Sequence, residues 1–262
     1  MTSAFLSIAG LLFGITAGAV HAQNGQSASR PGWPCVAGRA VDPAYLEISE
    51  GTGGQLFLFQ KGEVAQSGLV MDASRTHPST ILRSVGHLSG SREFVFPVDS
   101  GVESLMVLVS LQCRNAIRVL RPAGSELTQM NSALSVDLQA GRILRIEHPE
   151  PGPWRIQLAG TGLFVLSVLA RTDLRLTTVS RLDGDARRVT VAINLQGEAS
   201  DVKYQLVDAA GDVLSEAEAM EPTADGALRA VFSSTVQRFR LRVTGTDSAA
   251  YPFQRTNPIL FK

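Results

Sequence analysis

The most constraining feature of this sequence is a ten-residue stretch in which a Pro/Gly-rich turn leads into alternating apolar and polar side chains. The turn comprises residues 149–153, and Trp154, Ile156 and Leu158 then alternate with polar residues. Successive side chains of a strand point to opposite faces, so this alternation is typical of a strand with one buried and one solvated face. The pattern recurs along most of the chain, which predicts an all-β protein built of sandwiches.

The N-terminus, residues 1–22, has the composition of a signal peptide. An uncharged apolar run from Ala4 to Val20 ends in the small-x-small pattern Val20-His21-Ala22. The alternative is an uncleaved membrane anchor, but a run of about 17 residues interrupted by glycines is short for a bilayer span. We therefore expect cleavage after Ala22 and a secreted or periplasmic mature chain without a membrane span.

The charge and the cysteine content limit which partners and which cellular compartment are compatible with this sequence. The 24 basic and 24 acidic residues cancel, and no run of like charge occurs, which argues against nucleic acid as a partner. Cys35 and Cys113 are the only cysteines, and an isolated pair in an exported chain is expected to form a disulfide; two buried thiols are the alternative. No His or Cys stands at ligand spacing from either cysteine, so the pair does not indicate a metal site.

The first part of the mature chain reads as a polar, flexible lead followed by a short helix–strand–helix segment. The lead covers residues 23–42, and the segment covers residues 43–78. Asp42 and Pro43 have the residue types of an N-cap and a first helical position, and this helix should stop at residues 51–54. A strand is then expected at 55–59, followed by a helix at 63–71.

Two sets of strands follow, joined at Thr172-Asp173. The first set, residues 79–172, has the strand number and turn spacing of a sandwich or jelly roll. Its expected strands are 80–88, 92–98, 102–112, 115–121, 134–137, 142–147, 154–159 and 162–170. The second set, residues 173–262, matches the strand count of an immunoglobulin-like sandwich, although no Cys…Trp…Cys signature is present. Its expected strands are 174–182, 187–196, 202–208, 212–215, 228–233, 236–244 and 256–261, with the acidic stretch 215–226 as an exposed loop.

Several segments, taken in order, resemble the hemicentins and related proteins built around a von Willebrand factor A domain. They are Gly53-Gly54-Gln55-Leu56-Phe57, Phe96-Pro97-Val98-Asp99, Ile117-Arg118-Val119-Leu120-Arg121-Pro122-Ala123-Gly124, Pro151-Gly152-Pro153-Trp154 and Phe239-Arg240-Leu241-Arg242-Val243-Thr244-Gly245. The resemblance covers residues 43–262. It implies a galactose-binding-like sandwich at 79–172 and an immunoglobulin-like domain at 173–262, preceded at 43–78 by only the tail of an A-domain. The expected fold class is therefore all-β, with two consecutive sandwiches after a short helix–strand–helix segment.

The resemblance also bears on metal binding. The family's adhesion site holds a divalent metal through an Asp-x-Ser-x-Ser loop near the start of the A-domain, a part that this chain is expected to lack. Asp72-Ala73-Ser74-Arg75-Thr76 is close to that motif but follows the Gly53-Gly54 turn, so a helix end capped by Asp72 is the preferred interpretation. For Asp183-Gly184-Asp185 the preferred interpretation is a hairpin turn, and a calcium site is the alternative. We expect no metal and no cofactor.

Nucleophilic catalysis needs a base held beside a serine or cysteine. The mature chain contains only His77, His87 and His148, and it has no Gly-x-Ser-x-Gly elbow and no His-Glu-x-x-His helix. The expected places of His87 and His148 are a strand surface and a turn. We therefore predict no catalytic residues.

Aromatic and basic residues offer two further binding candidates. Trp154 shares its face with Ile156 and Leu158 and is expected in the core, whereas Trp33 should be more exposed and pack over the disulfide. Four arginines could form a basic patch for an acidic partner: Arg142, Arg145, Arg155 and Arg171. The preferred alternative is a solvated sheet face on which they pair with Asp137, Glu147 and Glu150.

The sequence thus favours a non-catalytic exported binding or structural protein of the adhesion or matrix type. Its partner is expected to be a protein or glycan that the sequence does not identify. The alternative function is that of a lectin-like carbohydrate-binding or hydrolase-accessory module.

Overall fold

The computed structural model describes residues 4–8, 35, 41–128, 132–182, 188–222 and 228–262. Within these ranges the chain is mostly β-strand, with three antiparallel sheets of four or five strands, one two-stranded pair and few helices. The predicted all-β sandwich class is confirmed. The predicted cleavage site after Ala22, Trp33 and Asp183-Gly184-Asp185 lie outside the described residues.

The N-terminal segment follows the expected order of helix, strand and helix. Its elements are β1 (Ala4–Ile8), α1 (Pro43–Thr52), β2 (Leu56–Gln60), a 3₁₀-helix (Lys61–Gln66) and α2 (Ser67–Thr76). The Asp42 carboxylate accepts a hydrogen bond from the Ala44 amide, 2.9 Å away, at the start of α1, and Gly53 ends it with φ of 70°. β1 pairs with β2 and lies within the segment predicted as a signal peptide.

The second helix is longer than predicted. It continues for five residues beyond Met71, to Thr76, so Asp72 lies inside α2 and the expectation of a helix end capped by Asp72 is wrong. Asp72 instead forms an i,i+3 ion pair with Arg75 at 2.8 Å, which supports the last turn of the helix.

The first sandwich is one five-stranded sheet with three unusually long strands. Its strands are β3 (Ser79–Val98), β4 (Val102–Leu120), β5 (Leu134–Leu138), β6 (Gly141–Glu147) and β7 (Gly152–Thr172), in the order β3-β7-β4-β6-β5. β3, β4 and β7 contain 20, 19 and 21 residues, several times the usual strand length. Each of them contains two of the predicted strands, so the eight predicted strands correspond to five continuous ones.

The long strands bend along one line across the sheet. Gly90 (φ 110°) is opposite Gly160 (φ 152°), and the β4 register shifts on both sides of Cys113 and Arg114. A Cβ atom at Gly160 would lie 2.1 Å from the Cys113 carbonyl oxygen, so only glycine permits the close approach at the bend. The bend folds the sheet over itself, and both halves contribute to one core, as in the Phe94–Phe164 ring contact.

One half of this folded sheet is buried on both faces. Residues 104–111 of β4 and 163–170 of β7 are buried without alternation. Their outer face packs against the N-terminal segment, in clusters that contain Phe57, Phe59 and Val70. The helix–strand–helix segment therefore supplies the outer layer of the first sandwich.

The second sandwich consists of two four-stranded sheets. Its strands are β8 (Arg175–Leu182), β9 (Val189–Gln196), β10 (Ala199–Val207), β11 (Val213–Glu216), β12 (Ala219–Pro222), β13 (Leu228–Phe232), β14 (Arg240–Asp247) and β15 (Pro252–Thr256). The sheets have the orders β11-β10-β14-β15 and β12-β13-β9-β8, and their inner faces share one core. An immunoglobulin-like topology stays a prediction.

Two boundary predictions in the second sandwich are wrong. The stretch 215–226 was expected to be a loop, but Ala219–Pro222 pairs with β13 as an exposed strand at the sheet edge. Glutamate and proline are compatible with an edge strand, since its outer backbone groups face solvent. The last strand lies at Pro252–Thr256, and the predicted 256–261 strand is reduced to a single bridge between Phe239 and Phe261.

The three parts of the chain meet at a buried charge cluster. Glu50 of α1 accepts hydrogen bonds from Arg83 of β3, at 3.1 Å, and from Arg240 of β14. All three side chains are at most 3% exposed. Burial lowers the pKa of Arg240 to about 10, although the Glu50 carboxylate opposes this effect. Arg240 therefore remains charged at neutral pH, and both guanidinium groups depend on Glu50 as their counter-charge.

We predict that Glu50→Gln destabilises the protein by about 3–5 kcal/mol, because it leaves two buried arginines without a counter-charge. Urea denaturation measures the loss, and Glu47→Gln is the matched control. Glu47 belongs to the same helix but is exposed and paired with Lys262 at 3.4 Å, so its substitution should cost less than about 1 kcal/mol. Equal losses for the two variants would contradict the prediction.

The predicted disulfide is present. Cys35 is bonded to Cys113, which joins a residue before α1 to the bend of β4. The bridge closes a loop with a sequence separation of 78 residues, so it constrains the unfolded chain strongly.

We expect the double variant Cys35→Ala/Cys113→Ala to be less stable by about 4 kcal/mol on the chain-entropy model. Chemical denaturation of the oxidised protein and the variant measures the difference. Intact mass after alkylation, with and without reductant, tests the bond directly. Two alkylated cysteines before reduction would show that the bridge does not form in solution.

Candidate functional site

The three candidate histidines differ in burial and position in the structure. His87 lies exposed on β3, and His148 lies exposed directly after β6, as expected for a strand surface and a turn. His77 is buried, with only 4% of its surface exposed, at the end of α2. His148 lines a cleft.

This cleft lies at one end of the first sandwich and has a volume of about 250 Å³. It is formed where β4 and β6 end and where β5 and β7 begin. Its polar lining residues are Arg121, Ser132, Glu147, His148 and Glu150. The volume is just below the range usual for pockets that hold drug-sized molecules, so a ligand here would be small.

Two hydrogen bonds hold the loop that carries His148, one to the backbone of β4 and one from the Trp154 side chain. The His148 amide donates to the Glu103 carbonyl at 2.8 Å, and the Trp154 indole N–H donates to the Glu150 carbonyl at 2.8 Å. His148 has φ of 47°, a left-handed conformation that non-glycine residues rarely adopt. Such backbone strain clusters at binding sites. The loop therefore holds the His148 backbone in a fixed position.

The cleft combines hydrogen-bond donors and acceptors with nearly balanced charge. Glu147 is paired with Arg145 at 3.0 Å, and the remaining charged lining groups are Arg121 and Glu150. Trp154 is only 1% exposed, so the prediction that it belongs to the core is confirmed and it offers no stacking surface. The cleft is suited to hydrogen bonding with a small polar molecule.

Within the described ranges, no group of three or more His, Cys, Asp or Glu side chains is placed to hold a metal ion. No helix in that part of the chain is long and apolar enough to cross a bilayer.

The four arginines of the predicted basic patch do not share one surface. Arg142 is buried and donates to the carbonyls of Ile117 and Leu127. Arg145 pairs with Glu147, as expected, whereas Arg171 pairs with Glu103 at 2.6 Å. Three of the four thus interact with neighbouring protein groups, as the preferred interpretation expected, but its solvated face is wrong for Arg142, which is buried.

The sequence identified His148 and Trp154 as turn and core residues but missed Arg121 and Ser132. Arg121 follows the last residue of β4, and Ser132 precedes β5 by two positions. A polar residue at a strand end is common, so only the pairing order β5-β6-β4-β7 brings these positions together. The Pro149–Pro153 turn was the one available signal for a rigid loop.

His77 has a structural environment. Its Nε2 lies 2.9 Å from the Ser104 hydroxyl of β4, and its Nδ1 lies 2.8 Å from the Thr76 hydroxyl. Because Ser104 is only 2% exposed, this pair is closed to a substrate and instead attaches the end of α2 to the sheet. Burial lowers the pKa of His77, and the Arg171 charge lowers it further, although Glu147 opposes the shift.

A histidine whose pKa is lower in the folded state than in the unfolded state loses stability when it is protonated. We therefore expect stability to be highest above the unfolded-state value of 6.5 and to fall as the pH drops towards the lower folded-state pKa. Urea denaturation between about pH 7.5 and about pH 5 measures this effect. His77→Gln should remove most of the slope. The same slope in the wild type and in His77→Gln would contradict the assignment.

Comparison with known proteins gives a match for the first sandwich. No curated protein matches the chain. A lipase of Bacillus licheniformis in its propeptide form is 16% identical, with a TM-score of 0.36 over 68% of this chain and 40% of the lipase. A beta-glucuronidase of Ruminococcus gnavus is 12% identical, with a TM-score of 0.24 over 65% of this chain and 36% of the enzyme. The chain spans less than two thirds of either structure.

Residues 79–173 match the family model of the hemicentin galactose-binding domain-like proteins. The matched region contains every residue that lines the end cleft. The A-domain tail at 43–78 and the immunoglobulin-like domain at 173–262 stay predictions. For the first sandwich, the resemblance to the hemicentin galactose-binding-like domain is confirmed.

Proposed function

We propose that this protein is a non-catalytic exported binding protein whose first sandwich holds a small, neutral, polar ligand of carbohydrate type. The observation that carries the proposal is the end cleft, which combines a fixed loop with a polar lining inside the galactose-binding-like region. The disulfide supports export, because such bonds persist in oxidising compartments.

The chemistry of the cleft favours a sugar over a charged ligand. Each sugar hydroxyl donates and accepts hydrogen bonds, and the cleft offers guanidinium donors, carboxylate acceptors and groups that do both. An anion would meet Glu147 and Glu150, and a cation would meet Arg121. A neutral ligand avoids both repulsions.

The same geometry predicts modest affinity. Stacking on an exposed aromatic ring contributes much of the binding energy in aromatic-lined sites, and the buried Trp154 cannot supply it. The ligand would be held by hydrogen bonds, which exchange with water and contribute little net energy each. Binding by a single site should therefore be weak, and repeated sugar units would strengthen it through multivalency.

The arrangement also supports a non-catalytic role. Acid–base or nucleophilic catalysis needs a polarised partner beside the reacting group. Among the hydrogen bonds of the described residues, none joins the His148 side chain to a serine, threonine or cysteine. The Ser104–His77 pair, which has the right atoms, is buried away from solvent.

We expect the purified protein to bind a subset of sugars on a glycan array. We also expect titration with galactose, glucose or N-acetylglucosamine, followed by NMR, to shift resonances of the end cleft. Arg121→Ala should weaken binding by at least about tenfold, since it removes a hydrogen bond to a charged group. His148→Gly should also weaken it while keeping the fold, because glycine accepts a positive φ at no steric cost.

His87→Ala is the matched control, since His87 is exposed on the same sandwich but does not line the cleft. Binding that survives both cleft substitutions would place the ligand elsewhere. Absence of binding to every glycan and monosaccharide would reject the carbohydrate class. Turnover in a panel of hydrolase substrates, lost in His148→Gly, would reject the non-catalytic role.

A further inference from the structure

A second and larger cleft lies between the two sandwiches. Its volume is about 370 Å³, within the usual range of ligand-binding pockets, and domain boundaries are frequent places for such sites. Three segments line it: Pro78–Thr80 before and in β3, Leu176–Val179 of β8, and residues 255–259 at the end of β15 and after it. The cleft shares no lining residue with the end cleft.

The described walls of this interdomain cleft are electrically neutral overall and combine aliphatic with uncharged polar side chains. Leu176, Val179 and Ile259 contribute aliphatic surface, and no carboxylate of the described residues lines the cleft. The one charged lining residue in the described part of the chain, Arg255, is paired with Asp99 at 2.7 Å. Arg255 also donates to the carbonyls of Leu174 and Gln254, so its donors are already used within the protein. A charged ligand would lose its hydration here without gaining a partner.

One polar group in the cleft is left without a partner. Ser79 lines the cleft and is 4% exposed, and no hydrogen bond to its hydroxyl exists among the described residues. Buried polar groups are almost always paired, because an unpaired hydroxyl loses its hydration without compensation. A ligand that brings a carbonyl or an amide to this position would satisfy it.

A free sheet edge borders the same cleft. β8 is the outermost strand of its sheet and pairs on one side only, with β9. In the described part of the chain, no further strand pairs with the other side of β8. Such an edge presents unpaired N–H and C=O groups, which an extended peptide can pair with as an added strand.

We infer that the interdomain cleft binds an uncharged, extended peptide segment as an added strand along β8. One aliphatic side chain of the peptide enters between Leu176, Val179 and Ile259, and one of its backbone groups bonds to the Ser79 hydroxyl. Neutral walls match an uncharged segment, and the free edge matches an extended backbone. This inference does not rest on the proposed carbohydrate site.

The test uses the whole protein and a panel of end-blocked pentapeptides. Each peptide consists of threonine except at the central position, where the residue is varied. Isothermal titration should show saturable binding for central valine or leucine, and binding at least about tenfold weaker for central lysine or glutamate. Hydrogen exchange should slow at backbone amides within residues 175–182 when the valine peptide is bound, because they gain partners.

Two substitutions locate the site. Ser79→Ala should weaken binding of the valine peptide by about two- to tenfold, as one neutral hydrogen bond is lost. Thr177→Arg places a bulky charge on the exposed rim of the cleft and should abolish binding. The matched controls are Ser89→Ala and Thr161→Arg, which lie on the exposed surface at the bend of the first sandwich and should not change binding.

Binding of no peptide in the panel would overturn the inference. So would equal affinity for charged and uncharged peptides, or unchanged exchange of the β8 amides in the bound state. If Ser79→Ala binds the valine peptide with wild-type affinity, the peptide does not bond to the Ser79 hydroxyl, and that part of the inference is wrong.

Discussion

Glu50 is the point on which the arrangement of the three parts depends. Its side chain accepts hydrogen bonds from Arg83 of the first sandwich and Arg240 of the second, and its backbone carbonyl accepts from the Leu260 amide at 2.8 Å. Buried ion pairs are costly to form, but once formed they tolerate little displacement. A single carboxylate between two arginines therefore restrains the N-terminal helix, the first sandwich and the second sandwich together. The neighbouring Asp99–Arg255 pair, at 2.7 Å, adds a second buried link between the two sandwiches.

The N-terminal segment is needed because of the folded sheet. Bending at Gly90 and Gly160 lets both halves of β3 and β7 share one core, but it leaves the outer face of one half apolar. Met106, Leu108 and Leu169 on that face would be exposed without a cover. Phe57, Phe59 and α2 provide the cover, and the bonds of His77 and of Cys35 fix its position. A segment that looks too small to be a domain thus completes the layer packing of its neighbour.

Local chemistry made some features of the fold predictable, and long-range pairing made others unpredictable. The start of α1 at Asp42-Pro43, its end at Gly53 and the alternation at Trp154 are set by neighbouring residues, so the sequence predicted them well. The merging of eight strands into five could not be predicted, because a glycine in a strand pattern indicates a turn and a bend equally. Arg83, Arg240 and Arg255 gave no signal, since an arginine in an alternating strand reads as solvent-facing. The end cleft needed the strand order, which periodicity does not contain.

The two clefts differ because different interactions shape them. The end cleft is built within one sandwich from a loop held by the Trp154 indole and the Glu103 carbonyl, so its polar groups are fixed by local bonds. The interdomain cleft lies at the joint between the two sandwiches, where buried charges contribute to their arrangement and Arg255 is bonded across the joint to Asp99. Those charges are satisfied by protein groups, and the surface that they leave between the sandwiches is neutral. The protein thus has a cleft lined by charged groups at one end of the first sandwich and an electrically neutral cleft at the joint. The two clefts are therefore suited to different classes of ligand.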